Sequence, residues 1–229
     1  MKPLIVLDFD GVLFNSAFEA YQVCQKAAEK FSKDYQLIDF DTFMEFRAVL
    51  TDAWQFNRLY SKESRIDDFK NLKFEKKNHS DELFAKRFFE TRKEMMESEE
   101  WPKLMAPYPF FFQVKDLINS NKSLFKILST RNKESIERTL IFYGVNNIEI
   151  FSQEDLLVHG SKISVAKSKE WFNSDKFIVY VDDMQSHLEP FMNEVALCLH
   201  AGWGYDSSGE SYTQSQVAHL LDSFIKVGN

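Results

Sequence analysis

Five short runs along the chain are apolar at nearly every position: Leu4–Phe9, Leu124–Ser129, Ile148–Phe151, Phe177–Val181 and Val195–Leu199. A strand with one wet face alternates apolar and polar residues. Short unbroken apolar runs instead predict strands covered on both faces, as in a parallel sheet. Helical spacing separates the later runs: Lys133–Tyr143, stopped by Gly144, then Ser161–Phe172 and His187–Asn193. Strands alternating with helices predict a doubly wound, parallel α/β sheet.

More than a hundred residues between the first and second runs break this rhythm. From Ser16 to about Met105 the pattern reads helical. Ser16 is placed to cap Ala17–Phe31, and Asp41 to cap a helix carrying Phe43, Phe46, Leu50 and Trp54. A third helix is expected over Asp81–Glu97, with Leu83, Phe84, Phe88 and Met95 on one stripe. The charge-rich, weakly periodic segment Ser61–Ser80 reads as a solvated loop or short helix. Pro102, Pro107 and Pro109 mark the return to the sheet. The expected division is therefore a sheet domain of residues 1–14 and 106–229 and a helical domain of residues 15–105.

Composition narrows the function classes. The formal charge is −7, with 28 Lys+Arg against 35 Asp+Glu, which argues against a broad nucleic-acid footprint. The 23 phenylalanines lead us to expect large aromatic cores. Cys24 and Cys198 have no pairing or zinc-ligand spacing and are expected as buried thiols. No basic segment and apolar leader precede the first strand, and no run approaches 18 apolar residues. The expectation is thus a cytoplasmic protein with no membrane partner.

The chemistry concentrates where apolar runs end. Asp8 and Asp10 follow the first run and precede Gly11. Residues two apart in an extended segment point the same way, so both acids face one spot at a strand's C-terminal end, where open α/β sheets bind ligands. Like charges so close call for a shared cation or proton. The second run ends in the hydroxyls of Ser129 and Thr130, followed by Arg131 and Asn132 and then a helix. A hydroxyl and the first N–H groups of a helix are natural donors to a phosphoryl oxygen. Lys162, in Gly160-Ser161-Lys162, opens another helix 20 residues before Asp182. Lys167 and Lys169 sit deeper in that helix and are expected to face solvent. The fourth run ends in Asp182 and Asp183, and a glycine-rich turn, Gly202-Trp203-Gly204-Tyr205, comes later.

Acids, hydroxyl, lysine and acids in this order resemble the four motifs of the haloacid dehalogenase (HAD) superfamily, whose members are mostly Mg²⁺-dependent phosphatases. The helical insertion after the first strand resembles that family's type 1 cap on a Rossmann-like core. The resemblance implies Asp8 as nucleophile, Asp10 as acid and base, and Ser129 and Lys162 as catalytic groups binding the phosphoryl oxygens. Ser129 is favoured as the motif hydroxyl with Thr130 the alternative, and Thr130 and Arg131 join the substrate-binding set. It further implies a Mg²⁺ ion held by Asp8, the Asp10 carbonyl and Asp183, with Asp182 beside them. Asp10 argues against halide expulsion, which needs no acid, and the lack of membrane spans against an ion pump. Asn15 departs from the aspartate of many small-molecule phosphatases, while Ser16 matches. A small phosphorylated metabolite is the expected substrate. A sugar phosphomutase, or a non-catalytic phospho-ligand binder, stays open as an alternative. His187 is expected to pack or face solvent, and Arg47, Arg58 and Arg92 to be solvated or salt-bridged.

Overall fold

The computed structural model describes residues 2–31, 35–47, 50, 52–60, 77–173, 175–194, 196–208 and 211–228. The chain divides into two compact units, Met1–Asn15 with Ala106–Asn229, and Ser16–Met105.

The first unit is built on a parallel five-stranded sheet: β1 (Pro3–Leu7), β4 (Phe125–Leu128), β5 (Glu149–Phe151), β6 (Phe177–Asp182) and β7 (Ala196–His200). Their spatial order is β5-β4-β1-β6-β7. Between β1 and β4 in sequence come β2 (Phe14–Asn15) and β3 (Ala106–Pro107), a short antiparallel pair where the chain leaves and rejoins the unit. β1 is central, with Leu7 opposite Ile127 on one side and Val181 on the other. The strand order reverses beside it, so the C-terminal ends of β4, β1 and β6 border one crevice. The doubly wound α/β expectation therefore holds. Leu4, Val6, Ile178 and Tyr180 point into one apolar layer with Val165, Trp171, Leu188 and Phe191. Alternation sends Ile5, Leu7, Val179 and Val181 to the opposite face, and all four are buried. Residues covered on both sides are why these strands read as continuous apolar runs.

Several boundaries differ from expectation for identifiable reasons. The helix predicted over Ser161–Phe172 runs only Lys162–Ser168, because Glu170 takes φ 54 and a short 3-10 turn, Trp171–Asn173, follows. The helices Pro109–Ser120, Gln153–His159 and Gln214–Gly228 were not expected. In the first of these, Phe110, Phe111 and Val114 supply the buried face, and Pro109 starts the helix as proline does at a first helical position. Val195, in the fifth predicted strand, lies outside the described residues. Cys198 is half-buried, whereas Cys24 is buried as expected.

The second unit is helical among its described residues: Ala17–Phe31, Phe40–Arg47, Gln55–Tyr60 and His79–Met96, then a 3-10 turn, Trp101–Leu104. Its core is strongly aromatic. Phe43, Phe56 and Phe88 stack in series at 5.5 and 5.6 Å, and Tyr35 stacks on Phe84 at 5.9 Å. Asp39, not Asp41, caps the second helix, its Oδ1 accepting from Thr42 N at 2.7 Å. Leu50 and Trp54 lie beyond that helix, buried in the same unit. The last long helix is capped by Asn78, with Asp81 closing the reciprocal bond, and Leu83 is exposed instead of joining the stripe. Most of the predicted loop, residues 61–76, lies outside the described residues. Arg92 grips Glu19 with Nε–Oε1 at 2.9 Å and Nη2–Oε2 at 3.0 Å, both side chains buried. Arg58 pairs with Asp81 at 3.0 Å, and Arg47 donates to the Leu50 carbonyl at 2.8 Å.

Candidate active site

Asp8 is the first residue beyond the β1 ladder, and Asp182 is the last of neighbouring β6. Asp8 N donates to Val181 O at 2.9 Å, which ties the two strand ends side by side. Lys162 comes to them from the first turn of its helix, where Ser161 caps the start by accepting from Ser164 N. Lys162 Nζ lies 2.7 Å from Asp182 Oδ2 and 3.1 Å from Asp8 Oδ2. All three side chains are at most 6 % exposed. A lysine rarely sits so deep unless paired, and this one joins two carboxylates.

Asp182 is held on every side. Its Oδ2 also accepts from the buried Tyr180 hydroxyl. Its Oδ1 accepts from Met184 N at 2.9 Å and faces His187 Nδ1 at 3.2 Å. Asp183 takes a different environment. Its carboxylate packs on Gly11, where a methyl group would lie 2.0 Å from Oδ2, and its Cβ packs on Gly204. Gly11 also has φ +80, so glycine serves there through both its backbone freedom and its missing side chain. Tyr205 N donates to Asp183 Oδ2 at 2.7 Å, and His200 Nε2 lies 3.0 Å from the Asp183 carbonyl oxygen. The glycine-rich turn after β7 thus cradles the second acid. Trp203 Nε1 donates to the Val12 carbonyl at 3.1 Å and pins that turn to the loop after β1.

Among the described residues, one ammonium, that of Lys162, is shared by the two buried carboxylates of Asp8 and Asp182. Burial pushes the Asp8 carboxyl up to about 7; Lys162 opposes this, and Asp182 and Asp183 add to it. For Asp182, burial also works upward, but Lys162 and then His187 outweigh it and hold the carboxyl below the usual range. Lys162 is raised: burial acts to lower it, and Asp182 and Asp8 more than compensate. Asp182 and Lys162 are therefore the settled ion pair, and Asp8 is the acid whose charge lacks an adequate partner. One donor atom each from Asp8, Asp182 and His187 fall within 4.8 Å of one another, a spacing able to hold a metal ion.

Asp10 follows Asp8 on the tight loop that closes at Phe14, with Gly11 N donating to Phe14 O at 2.9 Å. Its carboxylate meets Arg131, whose Nε is 3.0 Å from both oxygens. Ser129, fully buried, follows β4 next to β1, and its Oγ accepts from Arg131 N at 3.3 Å. Thr130 is exposed. The structure thus brings Asp8, Lys162 and Asp182 into direct contact, with Asp183 near enough to act on Asp8. Asp10 and Arg131 form a second pair beside them. Lys167 and Lys169 are exposed, as expected. The expectation for His187 is corrected: it is a partner of Asp182. Tyr180, read as one more apolar strand residue, carries its hydroxyl to the same carboxylate. A histidine five positions after Asp182 at a helix start was a signal for the first, and nothing in the sequence marked the second.

No protein-family model and no curated relative matches the chain. Solved structures do. A predicted phosphoglycolate phosphatase from Haemophilus somnus aligns over 96% of this chain and 98% of its own, with TM-score 0.66 and 13% identity. A predicted phosphatase from Clostridium acetobutylicum aligns over 97% and 99%, with TM-score 0.64 and 13% identity. A HAD-superfamily hydrolase of subfamily IA from Geobacter sulfurreducens aligns over 96% of each chain, with TM-score 0.55 and 13% identity. At these identities the likeness is one of fold: the chain has the HAD-type architecture of an α/β core with a helical insertion.

Proposed function

We propose that this chain is a Mg²⁺-dependent hydrolase of small phosphorylated metabolites, working through a phosphorylated Asp8. The observation that carries the reading is the strand-end cluster, where the buried carboxylates of Asp8 and Asp182 share the Lys162 ammonium and buried Asp183 lies near enough to act on Asp8. Buried carboxylates in excess of their cations are unstable unless something positive is added. The fold shared with phosphatases supports the same reading.

The residues fit a hard divalent cation. Both oxygens of Asp182 are engaged by Lys162, Tyr180, His187 and Met184 N, which suits it to orienting its neighbours. Asp8, Asp183 and the Asp10 carbonyl are the oxygen donors we assign to the ion, the ligand type Mg²⁺ prefers. Bound there, Mg²⁺ would screen the repulsion between a carboxylate and a phosphate dianion.

In the reaction we propose, an Asp8 oxygen attacks phosphorus, the bond from phosphorus to the leaving oxygen breaks, and Asp10 gives that oxygen its proton. Water then attacks the Asp8-bound phosphoryl group while Asp10 takes a proton from it, releasing inorganic phosphate and restoring Asp8. Lys162 neutralises charge on the phosphoryl oxygens, and Ser129 with the following helix start donates to them. Thr130 is the accessible hydroxyl of that segment.

The test is phosphate release from a panel of phosphorylated metabolites, 2-phosphoglycolate among them, with Mg²⁺ and after chelation. Turnover should require the ion, and Asp8→Asn should abolish it while the protein stays folded by circular dichroism. A fully active Asp8→Asn protein would refute the nucleophile, and conversion of a sugar 1-phosphate without phosphate release would favour a mutase.

A further inference from the structure

From its grip on Asp10, we infer that Arg131 is a positioning residue, acting on the substrate through that carboxylate. The inference rests on the phosphatase reading, in which Asp10 serves the leaving oxygen. Arg131 Nε lies 3.0 Å from both Asp10 oxygens, and Nη2 lies 3.0 Å from Oδ1. The Arg131 side chain is 3 % exposed and that of Asp10 16 %. The arginine is therefore the embedded partner, and the aspartate the more accessible one.

Arg131 is itself fixed at several points. Its main-chain N donates to Ser129 Oγ at 3.3 Å, its carbonyl accepts from Gln153 N at 3.0 Å, and its guanidinium lies 5.8 Å from the Phe9 ring centroid. Asp10, by contrast, rises from a loop of only a few residues. A planar guanidinium contacting both oxygens fixes where the carboxylate is and which way its plane faces. A carboxylate has about four lone-pair sites, so this contact leaves sites for a further hydrogen bond. Proton transfer needs that geometry, because donor and acceptor must come within hydrogen-bond reach. The segment after β4 thus supplies Ser129 toward the phosphoryl group and, two residues on, the support for Asp10.

A positioning role makes a prediction that simple substrate binding does not. Expelling a weakly basic leaving group needs little help from Asp10, whereas expelling a strongly basic alkoxide needs much. The full chain with Mg²⁺ is assayed for kcat/KM on p-nitrophenyl, phenyl and benzyl phosphate, in order of rising leaving-group basicity. In Arg131→Gln the loss on benzyl phosphate should exceed the loss on p-nitrophenyl phosphate by at least about tenfold, within the range of general acid catalysis. Arg131→Lys should restore part of it. In an Asp10→Asn background, Arg131→Gln should add no further loss, because the two residues act as one.

Equal losses on all three substrates, or a full additional loss in the Asp10→Asn background, would overturn the inference and make Arg131 a substrate contact or a purely structural ion pair. If Arg131→Gln fails to fold, Arg131→Lys carries the same two readouts. Failure of the underlying reading looks different: the unmodified protein would turn over none of the three, or Asp8→Asn would retain activity.

Discussion

Arg92 and Lys162 are both buried cations tied to buried carboxylates, one in the helical unit and one at the strand ends. Arg92 meets Glu19 through two parallel hydrogen bonds, so each carboxylate oxygen faces its own donor. Lys162 is shared between Asp8 and Asp182, with Asp183 close by. The first arrangement is an answered pair. The second is a deficit, visible in Asp8 being pushed up to about 7 by burial against Lys162 and with the other acids. The helical unit holds a matched pair in its core, whereas the strand-end site, proposed to take up a cation and an anion, shares one ammonium between two carboxylates.

The largest expected effect comes from removing the shared cation. Lys162→Ala should lower kcat/KM by about 10²- to 10³-fold, the range for deleting one group that stabilises a transition-state charge. Lys167→Ala, whose side chain is 58% exposed and paired with Glu194, should stay near the parent rate. Steady-state kinetics on the two variants decides it, and equal effects would move the catalytic lysine.

Breaking the other cation's pair should act on stability. Arg92→Met leaves Glu19 buried without its guanidinium and should lower unfolding free energy by about 3 kcal/mol or more, measured by denaturant titration. Adding Glu19→Leu should recover much of the loss, since replacing both partners with apolar groups is often near neutral. No such double replacement at Asp8 and Lys162 should restore turnover. A double variant at positions 19 and 92 as unstable as the single one would show that the helical pair is more than packing.

The smallest effect is a pH dependence of metal affinity. A protonated Asp8 cannot serve as an anionic ligand, so Mg²⁺ binding must displace its proton whenever pH lies below its raised value. Affinity should therefore rise with pH by about tenfold per unit toward pH 7 and level off above it. Isothermal titration calorimetry in buffers of different ionisation heat reads both the affinity and the released proton. A flat profile between pH 5 and 7 would mean that Asp8 is already ionised.

Much of the sheet unit was legible because parallel strands covered on both faces must be apolar throughout, and their ends must then carry whatever chemistry exists. That logic reaches Asp8, Asp10, Ser129 and Asp182 directly, and Lys162 through its place at a helix start. It fails for Tyr180, whose ring belongs to the core while its hydroxyl serves Asp182. It also fails for the partner of Arg131, because Asp10 lies 121 residues away and no local pattern encodes the contact. In the helical unit, two acids close together, Asp39 and Asp41, could each start a helix, and only geometry picked the first.

Gly11, Asp183 and Gly204 come from three distant parts of the chain yet behave as one unit of substitution. A side chain at either glycine would invade the space of the carboxylate between them, with Asp183 Cβ only 2.3 Å from where a methyl on Gly204 would sit. Lengthening residue 183 meets the same walls. Drift at any one of these positions is thus held back by the other two, and losing the acid alone frees neither glycine. Gly11 keeps its positive φ, and a methyl on Gly204 would still lie 2.6 Å from the Gly11 carbonyl oxygen.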